Sequence, residues 1–253
     1  MSGSSTRKYL VYAFGEIVLI VFGILIALQI NDWNEDRLDR EREREFLASA
    51  VADLHFDIGR IDAVVSGNSI LLDGLNRLLG LVSQASDGEQ NFRELFTHSL
   101  VYTYWYLGSE WSQTTVARLE SSDGLVLVRD RQVRDALLSY QQGLEACKHQ
   151  YEEMKHYFHV MEESQKNLLD LSLGKPAYVY IEEDFLRILG PLQNFESRIM
   201  RGEYLIDDSD ELLLRYYNDV LFYRTALNNT NAIVTAQGQL AKQLIEMIQN
   251  RYR

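Results

Sequence analysis

The sequence predicts an all-α protein in which an N-terminal transmembrane helix is followed by a long-helix antiparallel bundle of three long helices plus shorter aromatic-rich helices. Three observations predict it. Only two prolines, Pro176 and Pro191, interrupt 253 residues, and a chain so poor in helix breakers favours long helices over many short strands. One N-terminal run is apolar and as long as a bilayer is thick, and three later stretches carry apolar residues in alternating steps of four and three. A composition of 46% hydrophobic and 25% charged residues excludes both a disordered chain and a multi-span membrane protein. The net charge of −12 repels phosphate backbones, so nucleic acid is not an expected partner.

The first element is the span. Tyr9 to Leu28 carries one charge, Glu16, and ten of the twelve residues from Ile17 to Leu28 are Ile, Leu, Val or Phe. Twenty helical residues reach about 30 Å, the hydrocarbon thickness of a bilayer. The apolar residues contribute about −3 to −6 kcal/mol to insertion, against about +2.5 to +3.5 for a carboxylate at the bilayer centre, so insertion wins. No small-x-small cleavage site ends the run, which argues for a retained anchor rather than a signal peptide. The expected division is a flank over 1–8, a transmembrane helix over 9–30, a charged helical stalk over 31–45 and a soluble bundle over 46–253. Counting Lys and Arg alone would place the C-terminal side in the cytoplasm, but long C-terminal domains translocate largely regardless of such charges.

The stalk reads N-D-W-N-E-D-R-L-D-R-E-R-E-R-E, with Asp36/Arg40 and Arg37/Glu41 one helical turn apart. Interleaved signs cancel its field and mark a solvated helix. A first seam follows through Leu47, Val51, Leu54, Ile58, Ile61, Val65, Asn68, Leu72, Leu75, Leu79 and Val82, with a kink or polar layer expected around Ser66 to Ser69. Phe92 to Leu119 is an aromatic helical segment. The second seam starts after Asp130 as N-cap and runs through Val133, Leu137, Tyr140, Leu144, Cys147, Tyr151, Met154, Phe158, Met161, Gln165 and Leu168. The third follows Asp207-Asp208-Ser209 through Leu213, Tyr217, Val220, Arg224, Leu227, Asn231, Val234, Gly238, Ala241, Ile245 and Ile248. Three helices of similar length suit a shared antiparallel bundle.

Lys8 to Glu35, K-Y-L-V-Y-A-F-G-E-I-V-L-I-V-F-G-I-L-I-A-L-Q-I-N-D-W-N-E, resembles the N-terminal signature of an uncharacterised family of bacterial single-span membrane proteins. The likeness rests on Gly15, Glu16, Gly23, Ala27, Gln29, Asn31, Trp33 and Asn34, with a weaker one from Leu119 to Tyr140 around Ser121-Ser122-Asp123-Gly124. It implies a membrane anchor with a helical domain, a cytoplasmic N-terminus and a bundle outside the cytoplasm, and it brings no known activity. Family members often carry a longer basic stretch before the span; here only Arg7 and Lys8 stand there.

Several residues are candidates for chemistry. Glu16 is an ionisable group inside a span, and Gly23 and Ala27 form a small-xxx-small pair on nearly its face, together a helix-packing surface for self-association or a protein partner. His149, Glu153 and His156 share a helix face at spacings of four and three, which suggests a metal site. Both Glu153 and His156 fall outside the seam, so a solvated face is favoured. Tyr102, Tyr104, Trp105, Tyr106 and Trp111 form the densest aromatic patch and suggest a ligand pocket, with Arg224, Asn228 and Asn231 as polar floor; packing at helix junctions is the commoner use. Cys147 stands alone on a seam and reads as a small hydrophobe. No P-loop, dinucleotide fingerprint, HExxH or G-x-S-x-G motif is present, and no cofactor is expected. The leading expectation is a single-pass cell-membrane protein acting as an interaction or sensor-like module without catalytic activity. The alternative is a small-ligand- or metal-binding bundle, with enzymatic activity open.

Overall fold

The computed structural model describes residues 3–85, 89–103, 122–171, 204–207 and 209–252. Five helices make up nearly all of them: α1 (Gly3–Ser83), α2 (Glu89–Tyr102), α3 (Ser122–Leu127), α4 (Arg131–Leu168) and α5 (Asp210–Arg251). Among the described residues there is no strand, only an isolated antiparallel bridge between Leu169 and Leu205 that joins the end of α4 to the approach to α5.

The segments expected as span, stalk and first bundle helix form one uninterrupted helix, α1, of 81 residues, about 120 Å at the helical rise. No proline interrupts it. The expected kink site around Ser66 to Ser69 stays helical, and Ser66 and Ser69 turn their hydroxyls back onto the carbonyls of Asp62 and Val65. The apolar part of α1 near the N-terminus is long and apolar enough to cross a membrane, and none of it is buried against the rest of the chain. Apart from Glu43 the stalk is largely exposed, and it carries the ion pairs its spacing predicts, Arg37 to Glu41 at 3.7 Å and Arg40 to Asp36 at 3.9 Å.

From Leu47 onward α1 joins the bundle. Leu47 and Leu54 pack with Val133 to Leu144 and with Ala241 to Ile248, while Leu71 to Val82 pack with Met154 to Leu168 and with Leu213 to Leu227. Thus α1 and α4 run in the same direction and α5 runs antiparallel to both, touching each along its length. The upper half of α1 is also covered by α2, whose Leu95, Phe96 and Leu100 enter the same core. A smaller cluster of Ile61, Val64, Cys147 and Val234 lies between the two large ones.

The second seam is buried nearly as its spacing predicts, and Asp130 caps α4 by accepting hydrogen bonds from the backbone N–H groups of Gln132 and Val133 at 2.8 and 3.1 Å. The other two seams need a correction. On α1 the buried row is Leu47, Ala50, Leu54, Asp57, Ile61, Val64, Asn68, Leu71, Leu75, Leu78 and Val82. Val51, Ile58, Val65 and Leu72 form its half-buried flank. On α5, Tyr216, Tyr223 and Thr230 are buried while Tyr217, Arg224 and Asn231 are only half-buried. Each helix packs against two neighbours, so it presents two adjacent rows; the expected and buried rows share every second position and differ by one residue at the others, which turns the buried face by about 50°, half the angle between successive residues.

Candidate functional site

Buried polar side chains are hydrogen-bonded between elements at three levels. At its base, nearest the apolar segment, the alternation that buries Leu47 also carries Glu43, four residues earlier, under cover at 4% exposure. Its carboxylate accepts the Arg129 backbone N–H at 2.7 Å and the Tyr252 hydroxyl at 2.6 Å. Arg129 reaches down to Asp36 on the stalk at 3.0 Å, and Arg251 bonds Asp130 and Gln132 at the start of α4. This clasp ties the stalk, the α3–α4 junction and the last turn of α5 together. Burial, and then the bond to Glu43, push the Tyr252 hydroxyl up to about 12. The N-cap bonds, foremost that from Val133, and the Arg251 guanidinium hold the Asp130 carboxyl below its ordinary range.

Between α1 and α5, directly beside the clasp, lies an open groove of about 640 Å³ lined by Arg44, Leu47, Ala48, Val51, Ile248 and Tyr252. Tyr252 therefore belongs to both features.

At the second level Asp57, wholly buried, accepts the Tyr140 hydroxyl at 2.8 Å, and Gln237 donates its amide to the Tyr140 carbonyl at 2.7 Å. One residue from each long helix is thus engaged. Gly143 leaves the space the Gln237 amide occupies. Burial, followed by the negative charge of Asp57, raises the Tyr140 hydroxyl far above its ordinary value, so it donates at any working pH. With Tyr140 at 1% exposure, no solute reaches this pair; it fastens helices rather than moving protons. At the third level the Tyr216 hydroxyl donates to Ser99 Oγ at 2.9 Å, joining α5 to α2.

Sequence reasoning singles out neither Glu43 nor Asp57: Glu43 falls within the segment expected as a solvated stalk, and Asp57 lies one residue off the expected seam. The signal was available: both fall on the row that alternates three and four with Leu47, Leu54 and Ile61. Cys147 is buried at 1% exposure as a small hydrophobe, and burial lifts its thiol to about 11.

The sequence-predicted site residues are spread out. Glu16, Gly23 and Ala27 lie exposed on the free part of α1, with nothing near Gly23. His149, Glu153 and His156 are exposed on α4, and among the described residues no three His, Cys, Asp or Glu side chains form a group able to hold a metal. Of the aromatic patch, Tyr102 is described: it is half-buried, its ring packed over Gly74 and tilted against His98 at 5.7 Å. Tyr104, Trp105, Tyr106 and Trp111 lie outside the described residues. Arg224 bonds Asn76 at 2.6 Å and Asn228 is exposed. Gly74 and Asn76 are two residues apart, about 200° around α1, so the structure does not bring Tyr102 and Arg224 to one pocket.

Comparison with known proteins finds one likeness. Residues 16–129 match a family of unknown function (DUF6090). The match begins at Glu16 inside the apolar segment and ends at Arg129, so it takes in most of α1, all of α2 and α3, and both partners of the Glu43–Arg129 bond. No curated protein and no solved structure matches the chain.

Proposed function

We propose that this chain is a single-pass, membrane-anchored helical bundle that serves as an interaction or sensor-like module without catalytic chemistry. One observation carries the reading: α1 is a single helix that begins in an exposed apolar segment and ends in the bundle core, 81 residues later. Residues 9–30 form the span, 31–45 the stalk and 46 onward the bundle. A stiff rod of this kind transmits displacement or rotation of the span to the packed residues above it, because a core at crystal-like density shifts between discrete packings rather than yielding gradually. The buried carboxylates Glu43 and Asp57 are both engaged in hydrogen bonds that join helices, which supports a structural role for them.

Within the span, Glu16, Gly23 and Ala27 supply the surface for self-association or a protein partner. The bundle stands outside the cytoplasm.

Membrane fractionation with alkaline carbonate extraction tests the anchor: the full chain stays with the lipid, and release of most of it into the supernatant refutes the reading. Protease accessibility in spheroplasts tests the orientation. Crosslinking in membranes tests the pairing surface; Glu16→Leu and Gly23→Ile lower dimer yield, and unchanged yield removes it.

A further inference from the structure

We propose that the groove at the bundle base binds a single-chain anionic amphiphile, an acyl chain with a carboxylate head, and that Tyr252 passes its occupancy to the clasp. The inference rests on the membrane-anchored reading and names the ligand such a sensor would take. Leu47, Ala48, Val51 and Ile248 give the groove an apolar floor, and its volume of about 640 Å³ falls within the range of small-ligand sites. One cation, Arg44, stands at its edge.

Arg37, Arg40 and Arg42, within the two turns below, each hold a carboxylate. Arg129 and Arg251 are likewise engaged by Asp36 and Asp130. Arg44 has no ion pair among the described residues, although Glu41 lies within one turn of it. A guanidinium without an ion pair of its own beside an apolar trough complements an anionic head on an apolar tail. The rest of the bundle is acidic and repels an anionic membrane surface, so the site selects one amphiphile at one arginine rather than a bilayer face.

Tyr252 makes the groove sense as well as bind. Its ring forms a wall while its hydroxyl holds the buried Glu43. A tail seated against Leu47 and Ile248 presses on that ring. The Glu43 bond and the Arg129 backbone contact beside it then shift, and through Arg129 so does the stalk at Asp36.

The test uses the full chain in phosphatidylcholine nanodiscs, with hydrogen exchange followed over residues 44–51 and 248–252. Decanoate slows exchange there saturably, and decyltrimethylammonium does not. Arg44→Gln raises the half-saturating decanoate concentration at least tenfold, and Val51→Trp, which fills the trough, abolishes the protection. Exchange over 213–227 stays unchanged in both variants, showing an intact far end. Equal responses to the two amphiphiles, no shift in Arg44→Gln, or protection induced by phosphatidylglycerol nanodiscs but not by decanoate would each overturn the proposal. Carbonate extraction of the same variants separates the two ideas: a chain that stays in the membrane yet ignores decanoate loses only the groove.

Discussion

The Asp57–Tyr140 pair offers the sharpest test of how the bundle is held. Tyr140→Phe removes one hydroxyl and leaves the ring in place, so no large cavity opens and the measured loss reports the hydroxyl's bonds, chiefly the 2.8 Å one to Asp57. Both partners are buried, at 0% and 1% exposure, and a hydrogen bond to a charged group contributes about 1.5–3 kcal/mol net. The expected loss is therefore about 2–3 kcal/mol, or about 4–12 °C in Tm for a chain of this size. Replacing Asp57 by Asn keeps an oxygen for the phenol but removes the charge, and a neutral hydrogen bond is about half as strong. In the Asp57→Asn background, Tyr140→Phe should then cost only about 1 kcal/mol, a coupling of about 1–2 kcal/mol across the cycle. Thermal unfolding of the four proteins by circular dichroism supplies the numbers. Equal costs of Tyr140→Phe in both backgrounds would refute the reasoning, because the carboxylate would not be what the phenol serves.

Further predictions follow from the same contacts. Gly59 and Gly80 have open space where a Cβ would stand, so Gly59→Ala and Gly80→Ala stabilise by about 0.5–1 kcal/mol each. Gly74→Ala instead drives a methyl into the Tyr102 ring and destabilises, seen as a lower Tm with faster exchange over α2. Leu75→Ala, at a fully buried position, costs about 2–5 kcal/mol in denaturant unfolding. Tyr252 holds its proton to about 12 when folded, while an unfolded tyrosine ionises near 10. The raised folded value means stability present below about pH 10 and lost as pH rises toward 12, and Tyr252→Phe flattens that loss in alkaline unfolding curves. Asp130 and Glu162 are lowered instead, the first by its cap bonds and Arg251, the second by Lys166 and His159. Their contribution is present above the ordinary carboxylate range and falls away as pH drops below it, so Asp130→Asn weakens the acid dependence of Tm.

Much of this architecture is legible in the residues, and the parts that are not share one cause. The second seam, the Asp130 cap, the stalk ion pairs and the Ser209 start of the last helix follow from local rules: turn-to-turn spacing and side chains that reach their own backbone. The rows on α1 and α5 do not, because a helix flanked by two partners buries a stripe wider than one heptad row, and period alone does not say which edge of the stripe faces the axis. Asp57 shows the consequence. By type it belongs on a surface; the Tyr140 hydroxyl, 83 positions away, helps make its burial tolerable, and no local pattern announces that partner. Glu43 is hidden in the same way by Tyr252 and Arg129. Tyr102 and Arg224 show the complementary effect, that residues packed near one level of α1 can still stand on opposite sides of it.

The polar levels also answer a problem the heptads create. Apolar rows repeating every seven residues would pack nearly as well after a slip of one heptad, about 10 Å along the axis. Ile61 beside Gly238 and Asn76 beside Arg224 set a register that brings Asn68 opposite Asn231. The side-chain oxygens of both are buried without a hydrogen-bond partner among the described residues. Such a layer costs stability where it stands but costs more when slipped, since each amide would then face leucine or valine. Asp57 with Tyr140 and Glu43 with Tyr252 impose the same penalty at two other heights. With three polar levels fixed on one continuous helix, axial slip of α1 by a heptad breaks all of them at once, whereas opening the base breaks only the lowest. An opening confined to the base therefore breaks fewer polar contacts than an axial slip and leaves those farther along the bundle in place.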